Sequence, residues 1–442
     1  MYLHSENLLQ QCRLDVKAFT RSRLLPFVVL VTYIINLIRR SLQFEISSFA
    51  SFIGFPDASK QAFSQARKKL SPLVFQLLNK QLLIEFYSNN EVKLFKGFRV
   101  LAVDGSTLRL PKSDELYACF GSHTAQGSVP MALTSFAYDV LNNMTLHATL
   151  KPYYGAPTNN DDSEKTMALE HFKAIKLLDA ELSNANFQDL YTFDRGYPSR
   201  YFMLLLREMN KHFLFRAPKT GNISEVQKAI DEGHSDIIID LEINKHMFRD
   251  QAEKDFFLRL ADKSLKIRVV VFKLKNGTKE VLLTSLLDQA KFTYNDLFEL
   301  YGMRWNVEEN YKFYKCIAEI ENFSGESKLA IEQDFHATVF TCNAASLLAQ
   351  EAQAEVEAAA EDKTKNEGKV TKYAYKINRN ILIGTIKNEI LEVLLGDQDL
   401  TRYCERLKRR LKRSLIAVRP GRSFERLTSR RERRPIIHKN AM

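Results

Sequence analysis

Apolar and polar positions alternate with different periods along the chain, and the changes of period divide it. Residues 1 to 92 read as helical: a polar start, an apolar segment from Leu24 to Ile38, and a further stretch from Phe44 to Phe55. After Gly54-Phe55-Pro56-Asp57, Ser59 is a good N-cap for a basic helix from Lys60 to Leu70. Two short helices about a Gly/Pro turn, the second basic, fit either a helix-turn-helix-like DNA module or an ordinary bundle. In the first case Lys60, Arg67, Lys68 and Lys69 are the candidate DNA contacts.

The period then shortens. Phe98 to Asp104 is an apolar run of strand length, and 129 to 140 and 144 to 151 form a hairpin about Leu141-Asn142-Asn143. A helix over 163 to 182, with Ser163 as its cap, a strand at 189 to 194, a helix at 198 to 210 and a strand at 212 to 217 follow. Strands first, then strands alternating with helices, predict an α/β sheet covered on both faces. From 222 to 290 the pattern returns to β, with runs at 237 to 243, 265 to 274 and 281 to 286 and a tight turn at Asn276-Gly277. This reads as an insertion. Helices resume at about 293, and the Ala/Glu-rich stretch 349 to 362 reads as a solvated helix end or loop.

Composition narrows the class. With 45% apolar and 26% charged residues, the 442-residue chain is neither disordered nor collagen-like. The five cysteines, at 12, 119, 316, 342 and 404, lack the close spacing of a zinc or redox motif and read as reduced thiols. The 15-residue apolar run from Leu24 is too short and too interrupted by Pro26, Thr32 and Asn36 to span a membrane. A cytoplasmic, nucleoid-associated protein is expected. Net charge is +11, and residues 401 to 442 hold 15 Lys or Arg against three Glu. That arm therefore carries +12 and the first 400 residues sum to −1. It fits a polyphosphate partner bound by counterion release, or else a solvated tail.

Three acids stand out. Asp104 closes one strand before Gly105-Ser106-Thr107, and Asp194 closes another before Arg195-Gly196-Tyr197-Pro198. Carboxylates beyond strand ends in an α/β sheet make half of a hard-cation site, although Asp-Gly is also a common turn pair. The stretch 298 to 317 reads as one helix, on which Tyr301, Arg304, Glu308 and Lys315 fall within roughly 60° of one another. Leu300, Met303, Val307, Tyr314 and Ile317 take the other side. The polar stripe fits a phosphate-handling surface, or a salt-bridged face in which Arg304 and Glu308 pair at i,i+4.

Tyr301-x2-Arg304-x3-Glu308-x6-Lys315 resembles the Y-R-E-K signature of the IS-four family of bacterial insertion-sequence transposases. Val103-Asp104-Gly105-Ser106-Thr107 and Phe193-Asp194-Arg195-Gly196-Tyr197 resemble that family's other two acidic blocks, in the same order. The likeness extends more loosely over the N-terminal helices and Arg419-Pro420-Gly421-Arg422. It implies an α/β fold with a ribonuclease-H-like catalytic core. Asp104, Asp194 and Glu308 would form a D-D-E triad on two Mg²⁺ ions, for which Mn²⁺ could substitute. Arg304 and Lys315 would then clamp flanking phosphates, Tyr301 would contact the transferred end, and Trp305, the only tryptophan, is a candidate to stack on an unpaired base. The implied organisation is a helical DNA-binding region (1–92), the first part of the core (93–221), a β-rich insertion (222–290), the second part with the Glu308 helix (291–350) and a helical, basic C-terminal region (351–442). The implied activity is cleavage of terminal inverted repeats and joining to target DNA by a homodimer on double-stranded DNA. The competing reading is a catalytically silent DNA-binding regulator on the same scaffold.

Overall fold

The computed structural model describes residues 2–418 apart from 21–23, 37–40, 55, 123–127, 154–163, 184–185, 218–222, 249–250, 274–276, 368–372 and 387–399. Arg419-Pro420-Gly421-Arg422, the distal arginines and Asn276 of the expected turn therefore lie outside the described residues. Five helices come first: α1 (Glu6–Cys12), α2 (Phe27–Ile35), α3 (Leu42–Ile53), α4 (Lys60–Arg67) and α5 (Leu73–Asn89). The apolar segment becomes α2, opened by Pro26 and buried along most of its length. Gly54, at φ 68°, ends α3 in the left-handed conformation that glycine tolerates, and Ser59 caps α4 by accepting from the Ala62 N–H.

A mixed sheet of eight strands follows. Its strands are β1 (Phe98–Arg109), β2 (Met131–Asp139), β3 (Met144–Pro152), β4 (Gln188–Phe193), β5 (His212–Arg216), β6 (Asp236–Leu241), β7 (Leu265–Lys273) and β8 (Lys279–Thr284). They lie in the order β3-β2-β1-β4-β5-β8-β7-β6, with β1, β4 and β5 parallel and the other pairings antiparallel. The connecting helices are α6 (Asp114–Phe120), α7 (Glu164–Asp179), α8 (Arg200–Glu208), α9 (Ser224–Asp231) and α10 (Gln251–Arg259). Two long helices, α11 (Tyr294–Cys316) and α12 (Lys328–Glu367), follow the sheet.

Side-chain alternation sorts β1 between two cores. Val100, Ala102 and Leu108 face a cluster built with α2, α5, α11 and α12, whereas Leu101 and Val103 face one built with α7 and α8. Each fully buried Val, Leu or Phe in these layers contributes about 1.5–3 kcal/mol.

Two features of the 222–290 segment go beyond the sequence reading. The strands of 222–290 do not stand apart: β8 pairs with β5, so this segment continues the central sheet and covers an edge that would otherwise be open. The stretch also holds α9 and α10, which β periodicity did not suggest. Of the two readings of residues 349–362, the solvated helix end holds: they are helical and lie in the later part of the 40-residue α12. No helix among the described residues is long and apolar enough to cross a membrane, and all five cysteines are free thiols.

Candidate functional site

The parallel register of β1 and β4 sets the site. Ala102 lies opposite Thr192, so Asp104 and Asp194, each two residues further on, leave the pair side by side and on the same face. Neighbouring strands run about 4.8 Å apart, so this register carries both aspartates to the β4 end of the parallel pair. Asp104 does not close its strand, however. β1 runs on to Arg109, held by β2 alone, with Asp104 opposite Phe136. The apolar run stopped being a guide there because β1 loses its β4 neighbour after Ala102.

Helix α11 lies against this strand. A capping box between Thr293 and Asp296 starts it, and Leu300, Val307 and Tyr314 bury its apolar side. The Tyr311 hydroxyl donates to the Asp104 carbonyl at 2.8 Å, and the Lys315 ammonium donates to the Ser106 hydroxyl and the Thr107 carbonyl, both at 2.8 Å. These contacts fix the face of α11 over β1. Arg304 is only 3% exposed; its guanidinium donates to Glu308 at 2.8 Å and to the Tyr301 hydroxyl at 3.2 Å. The i,i+4 pair foreseen as an alternative is thus present, and it is mostly withdrawn from water. Trp305 points outward at 45% exposure.

Electrostatics place these groups in one field. Burial pushes the Asp104 carboxyl up to about 6; Arg304 and the Gly105 N–H oppose the rise, and Glu164 and Glu308 add to it. Burial raises the Tyr301 phenol to about 12. Burial alone would lower the Arg304 guanidinium, but Tyr301, Asp194, Glu308 and Asp104 outweigh it and hold the group charged.

Glu164, a residue sequence reasoning passed over, opens α7. A Cβ added at Gly105 would lie 3.0 Å from its Oε1, and one added at Gly196 would lie 3.8 Å from its Oε2. The residue is exposed as a whole, yet its carboxylate is turned onto the glycines that follow the two aspartates. Burial of that end, and then Asp194, raise its pKa. An acid in the first turn of a helix is ordinary. The usable signal was the repeated glycine just past each aspartate.

The donors are carboxylates, hard oxygen ligands suited to Mg²⁺ or Mn²⁺. Asp194 Oδ1 is buried with no hydrogen-bond partner, as a carboxylate awaiting a cation would be. In kind, these residues fit a divalent ion. In position, no group of three acidic, His or Cys side chains among the described residues is close enough to hold one, and the Arg304 guanidinium is coupled to Asp104, Asp194 and Glu308.

The remaining candidates separate. Lys60, Lys68 and Lys69 are exposed on and just after α4. Arg67 is a correction: it is 5% exposed and donates to Gln333, Ser324, Asp334 and the Ala330 carbonyl, so it joins α4 to α12 instead of facing a phosphate. The basic arm is divided too. In the helix Leu400–Lys412, Leu407 and Leu411 are buried, Lys408 pairs with Glu351 and Glu355 of α12, and Lys412 pairs with Glu355. Arg402, Arg406, Arg409, Arg410 and Arg413 are exposed.

The family model described as "Transposase DDE domain" matches residues 96–344, a span that contains Asp104, Glu164, Asp194, Glu308 and all of α11. No curated protein matches the chain. Among solved structures, the cryo-EM structure of a piggyBac transposase synaptic complex with hairpin DNA is similar with a TM-score of 0.42 at 11% identity, covering 94% of this chain and 82% of that one.

Proposed function

The chain belongs to the transposase DDE domain family, and on that premise we propose that it cuts DNA at the ends of an insertion element and joins those ends to target DNA. The finer assignment is to an IS-four-type enzyme with a ribonuclease-H-like core, in which Asp104, Asp194 and Glu308 form the triad. One observation carries this reading: β1, β4 and α11 bring two aspartates and the Arg304–Glu308 pair into a shared electrostatic field at the end of the parallel ladder.

When bound, a pair of divalent ions supplies charge neutralisation for the entering and leaving oxygens of an in-line phosphodiester displacement. Asp104, Asp194 and Glu308 are the residues that would hold them. Asp104 and Asp194 stand two residues past the last β1–β4 register pair, so the ladder before them would limit how far they move apart. Glu308 is the adjustable member, because it is engaged by Arg304. An incoming DNA phosphate competes for that guanidinium, since arginine grips phosphate as well as carboxylate. Exchange of Glu308 for phosphate would free the third acid when substrate arrives and leave Arg304 as the phosphate clamp. Lys315, tied to Ser106 and Thr107, adds positive charge along β1. Tyr301 braces Arg304. Trp305 stands ready to stack on an unpaired base. Double-stranded DNA would lie against Lys60, Lys68 and Lys69 and the exposed arginines of the C-terminal helix, with two chains on two ends.

The test is purified protein with terminal-repeat duplex and Mg²⁺ or Mn²⁺. Nicking and joining are expected, with Asp104→Asn, Asp194→Asn and Glu308→Gln each losing cleavage while retaining DNA binding. The engagement of Glu308 by Arg304 favours one second reading, a silent DNA-binding regulator; binding without cleavage in either metal would establish it.

A further inference from the structure

The backbone carbonyl of Asp104 is held by two hydroxyls. Tyr311 of α11 donates to it at 2.8 Å, and Ser135, opposite Gly105 in the β1–β2 register, donates to it at 3.0 Å. Behind Ser135 stands a row of imidazoles. His171 of α7 places its Nε2 3.0 Å from the Ser135 Oγ, and its Nδ1 lies 2.8 Å from the Nδ1 of His147 on β3. Ser135 and His171 are fully buried, whereas His147 is half-buried at the outer end of the row. Both rings are neutral: burial pushes the His147 imidazole down to about 4, and burial and then His147 hold His171 well below the ordinary imidazole range. The protons can then be arranged in one way. A carbonyl only accepts, so the Ser135 proton points at Asp104 and His171 donates to Ser135 from Nε2. A neutral imidazole carries a single N–H, which leaves the His171 Nδ1 bare and makes the His147 Nδ1 the donor to it.

We propose that His171 is a positioning residue for Asp104, acting through the Ser135 hydroxyl on the backbone from which that carboxylate projects, with His147 fixing the His171 ring. This rests on the reading of Asp104 as a residue of the reaction. The row ends on a carbonyl, which cannot pass a proton on, so it orients and does not shuttle. Burying these imidazoles costs desolvation that an apolar side chain at 171, among Ala168, Phe172 and Ile175, would avoid. What they secure is the part of β1 beyond Ala102, where β4 no longer pairs and the strand is held by β2 alone. With Tyr311 on the α11 side and Ser135 backed by α7, the Asp104 main chain is clamped between the two helices that cover β1.

The experiment follows single-turnover cleavage of terminal-repeat duplex by saturating full-length protein in Mg²⁺, for wild type, Ser135→Ala, His171→Phe, their double variant, His171→Gln and Asp104→Asn. DNA affinity and melting in EDTA are measured on each. Ser135→Ala and His171→Phe are expected to slow cleavage about 10–100-fold at unchanged DNA affinity, and the double variant no more than the slower single one. His171→Gln, whose amide can still donate to Ser135, should recover most of the rate. A readout apart from activity is the ¹⁵N spectrum of the histidine rings, in which the signals lost in His171→Gln should report a proton on Nε2 and move in Ser135→Ala. If Asp104→Asn abolishes cleavage while Ser135→Ala and His171→Phe cut as wild type does, or if their losses multiply, the positioning role falls and the reading of Asp104 stands. A proton on Nδ1 of His171 would overturn the role as well. If Asp104→Asn cleaves at the wild-type rate, both fall. Should His171→Phe melt early, Ser135→Ala, the smaller change, decides alone.

Discussion

The two ends of the β1–β4 ladder treat the same kind of residue in opposite ways. At the start, Arg99 and Asp189 are register partners. Arg99 is fully buried, bonded to Asp189 at 2.8 Å and to Asp179 at 2.9 Å, and lies over the rings of Tyr87 and Phe187. Five residues further along each strand, Asp104 and Asp194 stand with Glu164 and Glu308 nearby, and Arg304 is the cation coupled to them. The first end has its charges matched within the fold. The second gathers Asp104, Asp194 and Glu308 around the Arg304 guanidinium, an arrangement that shifts the pKa of Asp104 and marks this end as the candidate site.

The sharpest way to break this contrast is at the matched end. Arg99→Met leaves Asp189, 3% exposed, with only the Lys211 ammonium at 3.4 Å, and should cost about 3–5 kcal/mol, seen as a lower urea midpoint. Adding Asp189→Leu to that variant should recover much of the loss, because both charges are then gone. At the other end, Asp104→Asn should lower cleavage at least about 10²–10³-fold without lowering stability in EDTA. A variant that unfolds would place Asp104 among the structural ions.

The same residue gives a pH dependence. Its folded pKa is raised, from 3.8 to about 6, so the native state favours the protonated form. Its contribution is complete below pH 4, is lost as pH rises through 6, and amounts to on the order of 3 kcal/mol. Melting curves in EDTA between pH 4 and 7 should show a decline that Asp104→Asn reduces. A divalent ion should oppose that decline at neutral pH, adding about 2.7 kcal/mol at a hundredfold excess over its dissociation constant. The smallest effect is expected at the C-terminal helix. Glu351→Gln with Glu355→Gln should change stability by less than about 1 kcal/mol, since those pairs are largely exposed, but should steepen the salt dependence of DNA binding by freeing Lys408 and Lys412. A truncation meant to probe the arm should start beyond Ala417, because Leu407 and Leu411 belong to the core.

What could be read from sequence followed local periodicity. The α11 stripe, the β2–β3 hairpin and the strand before Asp194 were legible because each is set by spacing within one element. Arg67 was misread because a basic residue at a helix end looks solvated until a partner some 260 residues away, Gln333 or Asp334, is in place. Glu164 was missed for a related reason: its relation to Gly105 and Gly196 exists only across the sheet. The continuation of the sheet through β8, β7 and β6 was hidden because strand periodicity says nothing about which edge a strand joins.

Helix α12, about 60 Å long at 1.5 Å per residue, runs against α2, α5, α6, β3 and the C-terminal helix. Gln333 takes hold of α4, Thr341 bonds the Ile35 carbonyl, Asn343 ties α5 to β3, and Glu351 and Glu355 secure the C-terminal helix. It works as an axle to which the flanking helices are bolted. A load applied at α4 would pass along this shaft toward α5 and β3, so the outer helices and the sheet answer to the same strain.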